Sequence, residues 1–250
     1  METNSISIII NEIRSINKNA LIVIKSTVPI SYTASQLRMH DTDRIIFSPE
    51  FLREDTPITD LQRPSRLVVG GDKEVCNEFL NILLSVIDHE DVNIVCVPPD
   101  EAEAIKIFSN AYLALRVAFF NELDSFCIEN SLDCSKILSG VCSDQRIGNI
   151  YNNPSFGFGG YCLPKDTRQL STQFAFLESN LFSATLQSNQ IRKTYISDHI
   201  KNLGIKKVGI YRLLMKSGAT NFRNSAVFDI IHELEAAGIN IEVFEPDLCG

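Results

Sequence analysis

Seven apolar side chains in the middle of this chain, Ile105, Phe108, Tyr112, Leu115, Phe119, Leu123 and Phe126, recur at steps of three and four residues. That spacing predicts one long helix over about 102–129 with a continuous apolar stripe along it. Such a stripe has to be covered, either by the core of its own chain or by a second subunit, and the spacing alone allows both. Ahead of the helix, β-rich runs at 20–24, 44–47, 66–70 and 92–97 alternate with helical or irregular stretches such as 75–87. This alternation reads as part of an α/β parallel sheet. Pro98 and Pro99 separate it from the helix. Beyond a further helical stretch to about 203, strands at 207–211 and 240–244 flank a helix at about 225–237, the start of a second α/β unit. The expected organisation is therefore 1–97, a partial Rossmann-like domain; 98–203, a central α-helical domain; and 204–250, the start of a second Rossmann-like domain.

The 250 residues, 44% of them apolar, suffice for one large or two modest domains. A net charge of -8 argues against a nucleic-acid surface. The apolar run Ile6 to Ile10 is broken by Asn11 and Glu12, so neither a signal peptide nor a membrane span is expected, and the cytoplasm is the expected compartment. The seven cysteines, Cys76, Cys96, Cys127, Cys134, Cys142, Cys162 and Cys249, include no Cys-x-x-Cys pair, which favours reduced thiols over disulfides or zinc. His40, His89, His199 and His232 are scattered, so no metal site is expected.

The chemistry concentrates at 157–166, GFGGYCLPKD. Glycines let a loop turn with positive φ and approach a ligand closely. A helix opening near Pro164 would put Cys162 at its N-terminal edge, where the dipole favours a thiolate, with Asp166 one turn on as a proton carrier. A tight turn around a small core cysteine is the plainer alternative. Three pairs stand four residues apart and would share a helix face: Glu50 with Glu54, Lys106 with Asn110, and Cys162 with Asp166. An acidic first helical turn would explain the first pair and a solvated face the second. Thr27, in KSTVP after a strand, reads most simply as a turn residue.

In order and local sequence, these blocks resemble the UDP-glucose/GDP-mannose dehydrogenase family, nearer to its UDP-glucose branch. The matching stretches are IKSTVP at 24–29, SPEFLRE at 48–54, Lys106 with Asn110, DQRIG at 144–148, NPSFGFGGYCLPKD at 153–166 and GIYRLLMKSG at 209–218. The resemblance implies oxidation of the C6 alcohol of UDP-glucose to the carboxylate, with two NAD+ reduced in turn. Cys162 would capture the aldehyde as a thiohemiacetal and then carry a thioester. Lys106 would stabilise the alkoxide, with Asn110 as a hydrogen-bond donor beside it. Asp166, Thr27 and Glu54 match residues linked to proton transfer and water positioning, and which of them is the base stays open. Glu50, Phe51, Leu52, Tyr151, Ser155, Gly159 and Lys216 match the nucleotide-sugar pocket, and Arg146 an arginine that reaches the substrate of an adjacent subunit. Thr27, Glu54, Lys165 and Arg223 match residues that meet the cofactor. The long helix would be the core of a homodimer. Phe158 stands where many relatives carry tyrosine.

One departure bears on function. The Gly-x-Gly-x-x-Gly turn that cradles the NAD pyrophosphate is absent: Gly70-Gly71 is followed by Asp-Lys-Glu, and Gly157-Phe-Gly-Gly leads into a cysteine. Against the family pattern the chain reads as shortened at both ends, with a hydrophobic sheet edge left open. The alternatives to an oxidoreductase are a non-catalytic chain that dimerises and binds UDP-sugar, and a thiol-based redox module.

Overall fold

The computed structural model describes residues 3–53, 56–88, 90, 92–177, 179–213 and 225–246. Glu54, Lys216, Arg223, His89 and Cys249 lie outside the described residues. The chain divides into two compact units, 1–108 and 109–250.

The first unit is built on a four-stranded sheet of β1 (Ile22–Ile24), β2 (Ile45–Phe47), β3 (Arg66–Gly70) and β4 (Asn93–Val97), in that order. The sheet is made of β-branched runs that alternate between two buried faces. Ile45, Phe47 and Val68 point to one face, where they meet Ile10 and Ile13 of α1 (Asn4–Ile16), Leu37 of α2 (Tyr32–His40) and Ala102 of α5 (Pro99–Glu129). Ile46 and Val69 point to the other, against Val75, Cys76 and Leu80 of α4 (Lys73–Leu84). α1 is a helix where only a broken apolar run was expected; Ile6, Ile10 and Ile13 recur on its inner side while Ile8, Ile9 and Ile16 are exposed.

The parallel expectation needs correction at one place. β1 with β2 and β3 with β4 are parallel, but β2 pairs antiparallel with β3 through Phe47 and Gly70. A parallel step needs a crossover that carries the chain back along the strand. α2 and α4 supply it on either side, whereas between β2 and β3 lies only the six-residue α3 (Pro57–Gln62).

The start of α5 closes this unit. A Cβ on Gly70 would lie 2.5 Å from Ala102 Cβ, so strand and helix approach at their backbones. Glu103, fully buried, accepts hydrogen bonds from the amides of Ser31 (2.7 Å) and Thr33 (2.8 Å), and so caps α2 from outside its own segment. Burial pushes the Glu103 carboxyl above its ordinary 4.5, outweighing these bonds. The native state then holds the proton more tightly than the unfolded chain. The stability this confers is full below pH 4.5 and is lost as pH rises through the raised value. Urea unfolding across pH 4.5 to 8 should therefore show the stability of the wild type falling relative to that of Glu103→Gln.

The second unit contains the rest of α5, α6 (Cys134–Cys142), α7 (Cys162–Gln173), a 3-10 turn (Ala175–Leu177), α8 (Leu181–Asn202), β5 (Lys207–Tyr211), α9 (Ala226–Ala236) and β6 (Asn240–Phe244). β5 and β6 pair in parallel, and α9 packs one side of them onto α8 through Ile196, Ile230, Leu234 and Ile239. Among the described residues no helix is long and apolar enough to cross a membrane.

α5 has its stripe, but its aromatics are not on the core side. Phe108, Tyr112, Phe119 and Phe126 are 40%, 59%, 57% and 60% exposed, while Ile105 packs against the core of the first unit and Leu115 and Leu123 are half-buried. The buried face carries Ala102, Ile107, Ala111, Ala114 and Ala118, with polar Glu103, Lys106, Asn110 and Asn121 among them. Small residues let neighbouring segments come close, and the polar ones face partners inside the protein.

Candidate functional site

The first unit contributes a cationic cluster around the segment after β2. Lys106, nine-tenths buried on α5, donates from Nζ to the backbone oxygen of Glu50 at 2.6 Å and lies 5.0 Å from the centre of the Phe51 ring. The Arg66 guanidinium stacks on the same ring at 3.8 Å. Lys25 Nζ stands 3.8 Å from a carboxylate oxygen of Glu50; burial pushes its pKa down and Glu50 opposes that. Residues 48–53 are not helical, and the expected pairing of Glu50 with Glu54 falls on a residue outside those described. The segment has no regular structure, leaves Leu52 exposed, and is anchored where Arg53 donates to Asp60 from its backbone and guanidinium. That hydrogen bonding holds the Asp60 carboxyl down to about 2. Thr27 is half-buried in the turn that follows β1.

The second unit holds the thiol. Cys162 is exposed and is the first residue of α7, two residues earlier than the proline start that the sequence suggested. Asp166, one turn on, is fully buried; its Oδ2 accepts from Asn110 Nδ2 at 2.6 Å. Its Oδ1 lies 3.4 Å from Lys165 Nζ yet makes no hydrogen bond within the protein. Lys165 also lies over the Tyr161 ring, at 4.6 Å. The arrangement is an exposed nucleophile with a fixed carboxylate behind it that has one open acceptor.

The loop leading to Cys162 is held by side chains that the sequence reading did not single out. The Ser155 amide donates to Asn121 Oδ1 (2.7 Å), and Arg192 Nε donates to the Ser155 carbonyl (2.9 Å). The Phe158 amide donates to Asn189 Oδ1 (2.7 Å), and Asn189 Nδ2 donates back to the Phe158 carbonyl (2.8 Å). A polar side chain recurring on the alanine face of α5 was the available signal for Asn121; nothing comparable marked Asn189 or Arg192. Gly157, at φ 139°, is where glycine is required, since a Cβ there would come within 3.0 Å of Asn189 Oδ1. Phe158 fits between Ala114 and Ala118 and is buried. The preceding segment is pinned by Arg116, which donates to the carbonyls of Ile147, Gly148 and Ile150. Tyr151 follows with φ 57°, and Arg146, exposed, is paired with Asp144 at 2.6 Å. Gly159 is half-buried beside the clamped segment. The six described cysteines are free, and among the described residues no cluster of three His, Cys, Asp or Glu side chains could hold a metal ion.

Residues 2–88 match the family model for the NAD binding domain of the UDP-glucose/GDP-mannose dehydrogenase family, and residues 100–191 match that for its central domain. The chain belongs to the UDP-glucose/GDP-mannose dehydrogenase family. Within it, the chain is 44% identical to a UDP-glucose 6-dehydrogenase of Campylobacter jejuni over 98% of its own length and 63% of that protein's. It is 45% identical to one from Streptococcus pneumoniae, with 99% and 64% covered. The chain thus spans less than two thirds of the length of these curated relatives. Among solved structures, a UDP-glucose dehydrogenase from Pyrobaculum islandicum superposes with a TM-score of 0.76 at 28% identity, covering 88% of this chain and 54% of that one. A UDP-D-ManNAc dehydrogenase from Pyrococcus horikoshii shares the fold, with a TM-score of 0.86 at 18% identity over 98% of this chain and 62% of that one.

The dehydrogenase family's cofactor puts one demand on the first unit, a helix N-terminus open to a pyrophosphate at the end of a strand. The two crossover helices, α2 after β1 and α4 after β3, offer none. The amides that open α2 are taken by Glu103, and those that open α4 by Asp72, whose carboxylate accepts from Glu74 and Val75. Gly70 and Gly71 are packed against Ala102 and Ile46, with no space for a ligand. Neither α2 nor α4 therefore provides a pyrophosphate cradle.

Proposed function

We propose that this chain carries the sugar-nucleotide and thiol half of a UDP-glucose 6-dehydrogenase, in which the C6 alcohol of UDP-glucose becomes a carboxylate in two oxidations that NAD+ receives as hydride. The observation that supports it most directly is Cys162, exposed at the first residue of α7, with buried Asp166 one turn behind it keeping one unbonded acceptor oxygen. The thiol of Cys162 adds across the C6 aldehyde: a carbon–sulfur bond forms, and the proton passes to the former carbonyl oxygen. Lys106, with a fixed ammonium, stabilises negative charge on that oxygen, and Asn110 holds Asp166 in orientation. Asp166, whose Oδ1 has no hydrogen bond within the protein, positions the water that releases the acid from the thioester, and the family resemblance assigns Thr27 and Glu54 to proton transfer and water positioning. Hydride removal is not a step these residues perform.

In this reading the family resemblance assigns Glu50, Phe51, Leu52, Tyr151, Ser155, Gly159 and Lys216 to the nucleotide sugar, and Lys165 and Arg223 to the cofactor. Residues 1–97, 98–203 and 204–250 are its three domains. The exposed row Tyr112, Phe119 and Phe126 on α5 supports a homodimer through this helix, with Arg146 reaching the substrate of the second copy. Free cysteines throughout the described residues support a reducing cytoplasm.

The test uses the C6 aldehyde of UDP-glucose and iodoacetamide. The aldehyde is expected to block alkylation of Cys162 while exposed Cys96, followed by peptide mass spectrometry, goes on reacting. Equal alkylation of Cys162 with and without the aldehyde would exclude the proposed role.

A further inference from the structure

Loops usually satisfy their backbone groups with water or with each other. The loop approaching Cys162 does otherwise. The amide and carbonyl of Ser155 are taken by Asn121 and Arg192, and both groups of Phe158 are taken by the single amide of Asn189. Asn189 lies on α8, 31 residues beyond Phe158, and is only 7% exposed. Its carboxamide pairs with the Phe158 peptide as a neighbouring strand would, at 2.7 and 2.8 Å. The contact is shaped on both sides, because only a glycine at 157 leaves room for the Asn189 oxygen. Past this clamp come Gly159 and Gly160, the latter at φ 71°, and then the thiol two residues on.

We propose that Asn189 is a positioning residue: by locking the Phe158 peptide it fixes where the chain leaves for the two glycines, and so sets the sugar-binding side of the loop in register with Cys162. Asn189 acts through Phe158 and need not touch substrate. The inference rests on the proposed reading of the loop as a sugar-nucleotide site. Buried amide pairs of this kind are costly to half-break, so evolution of a substitute at 189 would have to replace both bonds at once.

The test compares the 250-residue wild-type chain with Asn189→Leu, a neutral change of similar size that removes both bonds, and with the milder Asn189→Ser. Three quantities are read: urea unfolding, exchange of the Phe158 amide, and the UDP-glucose concentration that halves iodoacetamide alkylation of Cys162, with Cys96 as internal standard. Exchange at Phe158 is expected to quicken, and the protecting concentration of UDP-glucose to rise, each by about tenfold or more, in whichever variant keeps the wild-type unfolding transition. A folded variant whose Cys162 is still protected at the wild-type UDP-glucose concentration would overturn the role of Asn189. If UDP-glucose fails to protect Cys162 even in the wild type, the proposed function falls; Phe158 exchange and the alkylation rate without nucleotide then decide the clamp, unchanged values counting against it.

Discussion

Replacing Cys162 with alanine should lower the affinity for the C6 aldehyde of UDP-glucose by about a hundredfold or more, to the level of UDP-glucose itself. Isothermal calorimetry with both ligands measures it. In the proposed function the wild-type thiol forms a covalent bond to the aldehyde that the alcohol cannot form, so the preference between the two ligands reports the nucleophile and little else. Stability should change by no more than about 0.5 kcal/mol, because Cys162 is exposed and fills no cavity. A persistent preference for the aldehyde in the alanine variant would move the nucleophile elsewhere. Lys106→Met provides a contrast: it keeps the thiol and removes the ammonium that Glu50 orients, so capture should weaken while the alkylation of Cys162 continues.

Arg192→Ala is the substitution expected to cost most in folding, about 3–5 kcal/mol in urea unfolding. Arg192 is 6% exposed, and its guanidinium donates to the Ser155 carbonyl, to Ser125 Oγ and to the Asp124 carboxylate at 2.9, 2.7 and 2.5 Å. Alanine leaves three half-buried acceptors without their donor, one of them the Asp124 carboxylate, whose side chain is 20% exposed. Asp124 then keeps only weaker company, including Cys134, whose thiol burial first and the hydrogen bond to Asp124 second push up to about 12. The penalty belongs to the orphaned charge more than to the lost pair. Adding Asp124→Leu to an Arg192→Met variant should therefore recover a large part of it, and a double-mutant cycle separates the two contributions. Arg192→Lys should recover little, since one ammonium cannot span three acceptors set in different directions.

Much of the fold is written locally. β3, β5 and β6 start and stop where their β-branched runs do, and α9 begins at Ser225, whose hydroxyl caps the Val227 amide. Local pattern failed where the outcome depends on a partner. The 6–10 run became a helix because the sheet offered Ile6, Ile10 and Ile13 a surface, and β2 met β3 antiparallel because the connection between them has no long crossover helix. The stripe on α5 was read correctly as a stripe. Which face of the helix the chain itself buries was not readable, because the buried face mixes alanines with Ile107, Phe120 and polar residues, a weaker periodicity than that of the exposed aromatics.

The same division runs through the candidate site. Cys162 with Asp166 and Lys106 with Asn110 stand out in the sequence by helical spacing, which is a local property, and the roles proposed for them come with the family resemblance. Asn189 and Arg192 could not. Their roles are set by hydrogen bonds to backbone groups 31 and 37 residues away, and any buried amide or guanidinium can make such bonds, so residue type carries no mark of them. The sequence by itself determined the segments, their periodicities and the reactive groups; the tertiary structure decided which faces are buried, which strand runs the other way, and which carboxylates occupy the helix N-termini a dinucleotide would need. The reason is physical: burial and hydrogen-bond satisfaction are properties of pairs brought together by folding, and no single stretch of chain contains both members.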